Sequence, residues 1–305
     1  MNTKFKYHIL MHLIIFVWGF TGILGKLIHL DAYTIVWHRI LIAVVGFGLF
    51  LLITRRDLKT NSKKDLFKLC GTGVVIALHW MTFYKAIELS TASLGILCLS
   101  TTTLHVTWLE PLVMKRRFSP VEFLMGLIVI YGIYFVSSDF SSQENEALKY
   151  GLLSALLAAM FSVFNARMSQ DIAPYKMSFY ELSSALVFVT IYLFFKGSIT
   201  RDLFVMSTSD VLWLLFLGLV CTSVAFLISI KVVKRLGAFT FSLSVNLEPV
   251  YTMLLAIFIL HEDEILGRDF YLGSGLIVLV IVLNALYKNW VSNKRKSLQV
   301  LTPEE

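Results

Sequence analysis

Runs of apolar residues, each about as long as one bilayer crossing, follow one another along this chain with only short polar breaks. A spanning helix needs roughly 20 apolar residues. Ten such runs fall near 7–28, 33–53, 67–87, 93–114, 120–138, 150–169, 177–196, 210–230, 239–260 and 269–287. No stretch between them is long enough for a soluble domain, so the pattern predicts an all-α integral membrane protein with ten transmembrane helices. The first run, Tyr7 to Ile28, exceeds a signal-peptide core and lacks a clear small-x-small cleavage site, so it is expected to stay as a span.

Composition agrees: 57% of residues are apolar and 15% charged, the reverse of what a soluble surface requires. The net charge of +7 raises the question of nucleic acid, and its placement answers it. Lys and Arg gather in the N-terminal tail (Lys4, Lys6), after run two (Arg55, Arg56, Lys59, Lys63, Lys64, Lys68) and after run four (Lys115, Arg116, Arg117). They return after runs six (Arg167, Lys176), eight (Lys231, Lys234, Arg235) and ten (Lys288, Lys294, Arg295, Lys296). The alternate loops hold few. Two are acidic, one with Asp139, Glu144 and Glu146, the other with Glu262, Asp263 and Glu264.

Cytoplasmic loops of membrane proteins carry the excess of Lys and Arg. Both termini are therefore expected in the cytoplasm, with 291–305 as a cytoplasmic tail, membrane lipid as a partner and no nucleic acid. Cys70, Cys98 and Cys221 show no paired spacing, which favours packing roles over a metal site or disulfide framework. No cofactor is expected. Short loops without an Asn-x-Ser/Thr sequence suit a bacterial inner membrane.

The runs divide into five and five, 1–140 and 141–290. Five is odd, so the halves must enter the membrane from opposite sides, as inverted repeats do in many secondary transporters. The tripeptides Leu109-Glu110-Pro111 and Leu247-Glu248-Pro249 invite one alignment of the halves. Aligning Thr91-Ala92 with Gly237-Ala238 is preferred, because it also brings Gly126 almost onto Gly273. Thr102-Thr103 then corresponds to Glu248-Pro249.

A set of residues spread along both halves carries a family pattern. In the first half these are Trp18-Gly19 followed by Lys26, Arg39, and Ala86 through Ala92. In the second they are Lys234-Arg235-Leu236-Gly237-Ala238, Glu248-Pro249, Leu260-His261-Glu262 and the Gly273-containing last run. With them the chain resembles, over essentially its whole length, the EamA-type transporters of the drug/metabolite transporter superfamily. The resemblance implies two inverted five-helix repeats around a central cavity, and export or exchange of amino acids or other small metabolites. The first half departs from the pattern: the usual proline near Thr103 is absent, and Lys115-Arg116-Arg117 replaces a glycine-glutamate end. Unequal halves are expected.

Polar side chains at the bilayer centre are costly and usually face a cavity or a partner. At about 1.5 Å per residue, Glu248 lies roughly 14 Å into its span, near the midplane. Pro249 beside it cannot donate a backbone hydrogen bond, so a helix break or gate is expected there. Glu248 is a candidate for binding a substrate ammonium or a coupling proton; the plain alternative is a protonated acid bonded to a neighbouring helix. Asn246 and Tyr251 join it as substrate-binding candidates.

His79 and His105 also fall near the midplane, where imidazole shuttles protons or bonds between helices. Thr101 and His105 share a face with Trp108, as Trp80 and Tyr84 do with Glu88. Such stripes suit an aromatic-lined pocket or ordinary packing. Trp18, near mid-depth and followed by Gly19, Gly22 and Gly25, is the leading aromatic candidate, although the glycines fit close helix approach. Arg39, in the outer third of run two, is suited to a carboxylate, but the favoured reading is structural, with the side chain snorkelling outward. Asn165 and Glu181 fall toward the inner side, where Arg167 can satisfy the carboxylate.

The chain has no Gly-rich phosphate loop followed by Lys-Ser/Thr. Secondary active transport by alternating access, driven by a gradient, is therefore the expectation, and the protein is not expected to be an enzyme. A multidrug or organic-cation exporter of the same fold would use the same residues. The rival from another class is an intramembrane lipid-modifying enzyme, drawing acid and base from the two histidines and Glu248. No nucleophile-base spacing supports it. Monomer and homodimer both stay open.

Overall fold

The computed structural model describes residues 3–60, 62–115, 118–136, 141–236, 241, 244–245, 247–264 and 266–301. Its main elements are α1 (Thr3–Leu27), α2 (Ala32–Ile53), α3 (Lys63–Leu89), α4 (Ala92–Leu99), α5 (Thr102–Met114) and α6 (Pro120–Val136). They continue as α7 (Ser142–Met168), α8 (Pro174–Phe195), α9 (Thr208–Leu215), a π-helical turn (Phe216–Val224), α10 (Ala225–Leu236), α11 (Glu248–Leu260) and α12 (Arg268–Leu301). Among the described residues there is no strand.

Among the described residues, eight helical stretches are long and apolar enough to cross a membrane, counting α4 with α5 as one and α9 through Ser229 as another. The apolar helices α6 and α11 are shorter, at 17 and 13 residues. Large apolar side chains such as Leu52, Ile53, Leu112, Phe195 and Phe258 point outward. Such a surface suits hydrocarbon, where each helix must satisfy its own backbone.

Several helices start on a side chain that accepts the amides no preceding turn can reach. Asp31 accepts from Tyr33 and Thr34 at the start of α2. Ser62, Thr91 and Ser207 do the same for α3, α4 and α9, and Ser141 with Glu144 forms a reciprocal capping box on α7.

Run four was expected as one helix over 93–114; it is two, parted at Ser100-Thr101. The Ser100 and Thr101 hydroxyls donate back to the Ile96 and Cys98 carbonyls at 3.2 and 2.7 Å, competing with the amides for those acceptors. Run eight widens into the π-helical turn. There Thr222 and Ser223 donate to the carbonyls of Leu217 and Gly218, five residues back.

In the second half, Pro249 lies in the first turn of α11 rather than inside it, where its missing N–H costs nothing. The break is therefore a helix start. Helices α5 and α11 are both 13 residues long, and each ends on a left-handed residue, Lys115 (φ 54°) and His261 (φ 52°). Thr102 and Glu248 thus open equivalent helices, which supports the register drawn from Thr91-Ala92 over the one drawn from the Leu-Glu-Pro tripeptides.

The halves interlock: α3 lies against α7 and α8, α6 against α12, and α1 against α11. One end of the bundle is held by carboxylates on backbone amides. Asp210 accepts from His29 at 2.8 Å, Glu88 from Ala32 at 3.0 Å, and Glu262 from Ala92 and Ser93 at 2.8 and 3.0 Å. At the other end, Tyr175, Lys176 and Tyr180 of α8 hold residues 57–59.

Candidate functional site

Arg39 on α2 is only 6% exposed. Its guanidinium carbon lies 4.0 Å from the centre of the Trp80 ring and 5.8 Å from that of Tyr84. These rings sit one helical turn apart on α3, so both face the same cation. The Nε donates to Thr222 Oγ1 at 3.1 Å and an Nη to the Tyr84 hydroxyl at 3.3 Å. Tyr84 in turn donates to the Thr21 carbonyl on α1 at 3.2 Å.

Close packing makes this possible. A Cβ on Gly218 would run into Ile42 and the Arg39 carbonyl, so the glycine lets the π-helical turn bring Thr222 against α2. The snorkelling expected for Arg39 is overturned, because α3 and the π-helical turn close over its side chain. Among the described residues no carboxylate forms an ion pair with it.

Glu248 opens α11. Thr252, one turn on, donates to both the Glu248 carbonyl at 3.1 Å and the Gly19 carbonyl of α1 at 3.0 Å. Gly19 and Gly22 press so closely on Thr252 that added Cβ atoms would lie 3.1 and 3.0 Å from it. The small residues after Trp18 therefore serve helix approach. The Glu248 carboxylate lies within electrostatic reach of Arg39, and among the described residues it makes no hydrogen bond or ion pair.

His79 is buried between α3 and α7. Its Nδ1 lies 2.8 Å from the Ser154 hydroxyl and 3.0 Å from the Ser154 carbonyl, and the hydroxyl donates to the His79 carbonyl at 3.0 Å. Phe161 flanks the ring at 5.5 Å. The role these contacts define is an interhelical bond, although the ring is also within electrostatic reach of Arg39.

The remaining candidates lie elsewhere. Thr101 sits at the α4–α5 break with its hydroxyl spent on Cys98, and His105 meets the edge of Trp108 one turn further on. Trp18 packs edge-on to Phe241 at 5.8 Å, in an apolar cluster with Met11, Ile15 and Val232. Tyr251 belongs to the same cluster. Its hydroxyl lies 3.0 Å from His12 Nδ1, beside an open cavity of about 690 Å³ along α1. Asn246 lies outside the described residues.

Glu181 also departs from expectation. Arg167 turns to Gln170 and Asp171 at 2.8 and 3.6 Å, and Asn165 meets Glu181 instead, at 3.2 Å. Among the described residues no three His, Cys, Asp or Glu side chains converge as metal ligands would.

Of the expected residues, the structure gathers Trp80 and Tyr84 around Arg39, with Glu248 and His79 in electrostatic reach. Sequence reasoning underrated Arg39. The available signal was the pair of rings one turn apart on the next helix, which match a cation better than they match each other.

The class is that of a polytopic helical membrane protein whose interrupted helices surround a buried arginine. Residues 5–138 and again 146–286 match the EamA-like transporter family. The chain belongs to that family and is a transporter of the drug/metabolite transporter type. No curated protein matches it. A solved crystal structure of another protein shares the fold, with a TM-score of 0.63 at 13% identity over 93% of this chain and 99% of the other.

Proposed function

We propose that the chain is a secondary transporter that exports or exchanges amino acids or similar small metabolites by alternating access. The observation that carries this reading is Arg39, buried among rings and hydroxyls with no carboxylate paired to it among the described residues, and within electrostatic reach of the Glu248 carboxylate. Fixed opposite charges suit the carboxylate and ammonium of one zwitterionic solute. Trp80 and Tyr84 hold the arginine in place and wall that centre. In this reading ten spans form two inverted five-helix repeats in a bacterial inner membrane, with both termini cytoplasmic, and Glu248-Pro249 at the α11 start is the gating element.

The test is uptake or counterflow of a labelled panel by the purified protein in liposomes. Zwitterionic amino acids are expected to exchange, with Glu248→Gln and Arg39→Gln each abolishing the signal. An organic-cation exporter would need Glu248 and tolerate Arg39→Gln. Turnover of a lipid in detergent, with no flux of any solute, would replace transport by the enzyme reading.

A further inference from the structure

A second buried carboxylate lies in the α3–α7–α8 interface, apart from the Arg39 centre. Glu181 is 3% exposed, and among the described residues its carboxylate's one hydrogen bond comes from Asn165 Nδ2 to Oε2 at 3.2 Å. Two acceptors flank that bond and receive nothing: Glu181 Oε1 and Asn165 Oδ1 are both buried without a partner. An unpaired buried acceptor is costly, and an unpaired buried charge far more so. One hydrogen can serve both atoms. A proton on Oε1 would remove the charge and offer an O–H to an unpartnered neighbouring acceptor such as Asn165 Oδ1.

Among the described residues no competing ionic partner faces the pair from the surrounding elements. From α3, Gly73 abuts the Glu181 carbonyl and Cys70 presents its own carbonyl to Ser184, while Lys68 and Asp65 pair with each other. On α7, Arg167 is turned to Gln170 and Asp171. On α8, Lys176 and Tyr180 are bonded to residues 57–59. From Ile40 to Ile53, α2 has no titratable residue. Toward residues 57–59, Leu69, Met168 and Met177 form an apolar plug about one turn from the pair. In the other direction along α7, Phe161 leads to the His79 ring.

We propose that Glu181 and Asn165 form a proton-binding site separate from Glu248, and that Glu181 carries the coupling proton of the transport cycle. In the closed interface the acid is held behind the plug. When α8 parts from α3 and α7, water reaches Oε1, the O–H bond breaks, the proton passes to water and the carboxylate is hydrated. The coupling role rests on the transport reading; the protonated pair does not.

The experiment uses the full chain. Infrared difference spectra of wild type against Glu181→Gln are expected to show, at neutral pH, a protonated-carboxyl band that shifts in heavy water, vanishes in Glu181→Gln and persists in Glu248→Gln. An ionised-carboxylate band at Glu181, as a water-bridged or sodium-held group would give, overturns the site. Asn165→Leu is the second variant, expected to move the band to the position of an acid without a hydrogen-bonded partner; an unmoved band overturns the pairing. In liposomes, Glu181→Gln is expected to keep solute exchange but lose at least tenfold of the uptake driven by a pH gradient. Undiminished pH-driven uptake overturns the coupling role. A wild-type chain with no flux removes the transport reading together with coupling, while the infrared result still decides the site.

Discussion

Arg39 rests on Trp80 inside the bundle, its guanidinium carbon 4.0 Å from the ring centroid, rather than reaching for the surface. A desolvated cation over an indole gains about 2 kcal/mol, and the hydroxyls of Thr222 and Tyr84 accept charge-assisted hydrogen bonds from the guanidinium. These partners hold the charge in position without neutralising it. An anionic group of a substrate would complete the set, since removing a charge from water is repaid only by a well-placed opposite charge.

The planar fork is therefore the feature to remove. Arg39→Lys keeps the charge but loses the flat stack and the two-directional donors. Losing about 2 kcal/mol of that positioning corresponds to roughly 30-fold, so apparent affinity for a carboxylate-bearing solute should weaken by about that factor. Liposome uptake measures it, with thermal unfolding in detergent as the control for fold. Unchanged affinity would remove Arg39 from the substrate site.

Glu262 should matter for stability rather than for solute. Both its carboxylate oxygens accept backbone amides at the first turn of α4, and the side chain is 3% exposed. Hydrogen bonds to a charged group contribute about 1.5–3 kcal/mol, and the α4 N-terminus favours negative charge. Glu262→Ala should cost about 3 kcal/mol, and Glu262→Gln, which keeps one acceptor, about half as much. Thermal unfolding of the purified variants checks the order; equal melting points for all three proteins would refute it.

Eight of the ten expected spans were legible because hydropathy alone names a lipid-facing helix, and the Thr91-Ala92 register led to the matched helix starts at Thr102 and Glu248. What was not legible depended on partners far away in sequence. Arg39 looked like a snorkelling residue because its depth in α2 was readable, whereas the π-helical turn that covers it comes some 180 residues later. Arg167 looked like the partner of Glu181, but Asp171 one turn away on the same stretch takes it. Glu262 looked like loop charge, and only tertiary structure shows the bare α4 amides it fills.

Asp57 supplies a pH dependence outside the spans. The Lys59 amide bonds its carboxylate at 2.8 Å and the Lys176 ammonium at 3.1 Å, and in that order they hold its pKa below the ordinary aspartate value. A depressed folded pKa gives stabilisation that is present above the unfolded value and lost as pH falls through the folded one. The carboxylate's share of the tie between residues 57–59 and α8 should therefore persist through neutral and mildly acid pH and be lost only in stronger acid, while the bonds to backbone carbonyls stay. Asp57→Asn should loosen the tie at neutral pH without releasing it, because the bonds from Tyr175, Lys176 and Tyr180 to the backbone carbonyls of 57–59 remain, seen as moderately faster tryptic cleavage after Arg55 and Arg56. Cleavage at the wild-type rate would show that the tie does not depend on the charge.

Two glycines on α3 predict effects of opposite sign. Gly71 has nothing within 4 Å of an added Cβ, so Gly71→Ala should stabilise by about 0.5–1 kcal/mol through helix propensity alone. At Gly73 the added Cβ would collide with the Glu181 carbonyl and lie 2.9 Å from Ser184 Cβ. A backbone carbonyl cannot rotate aside as a side-chain tip can, so α8 must shift, and overpacking of this kind costs about 1–3 kcal/mol. That exceeds the propensity gain, so Gly73→Ala should be the less stable protein. Because the shift also displaces Glu181 from Asn165, its protonated-carboxyl band should move, while that of Gly71→Ala should not. Melting points of the two variants in one detergent, measured side by side, decide the sign. If Gly73→Ala melts as high as Gly71→Ala, the α3–α8 contact is looser than these distances require.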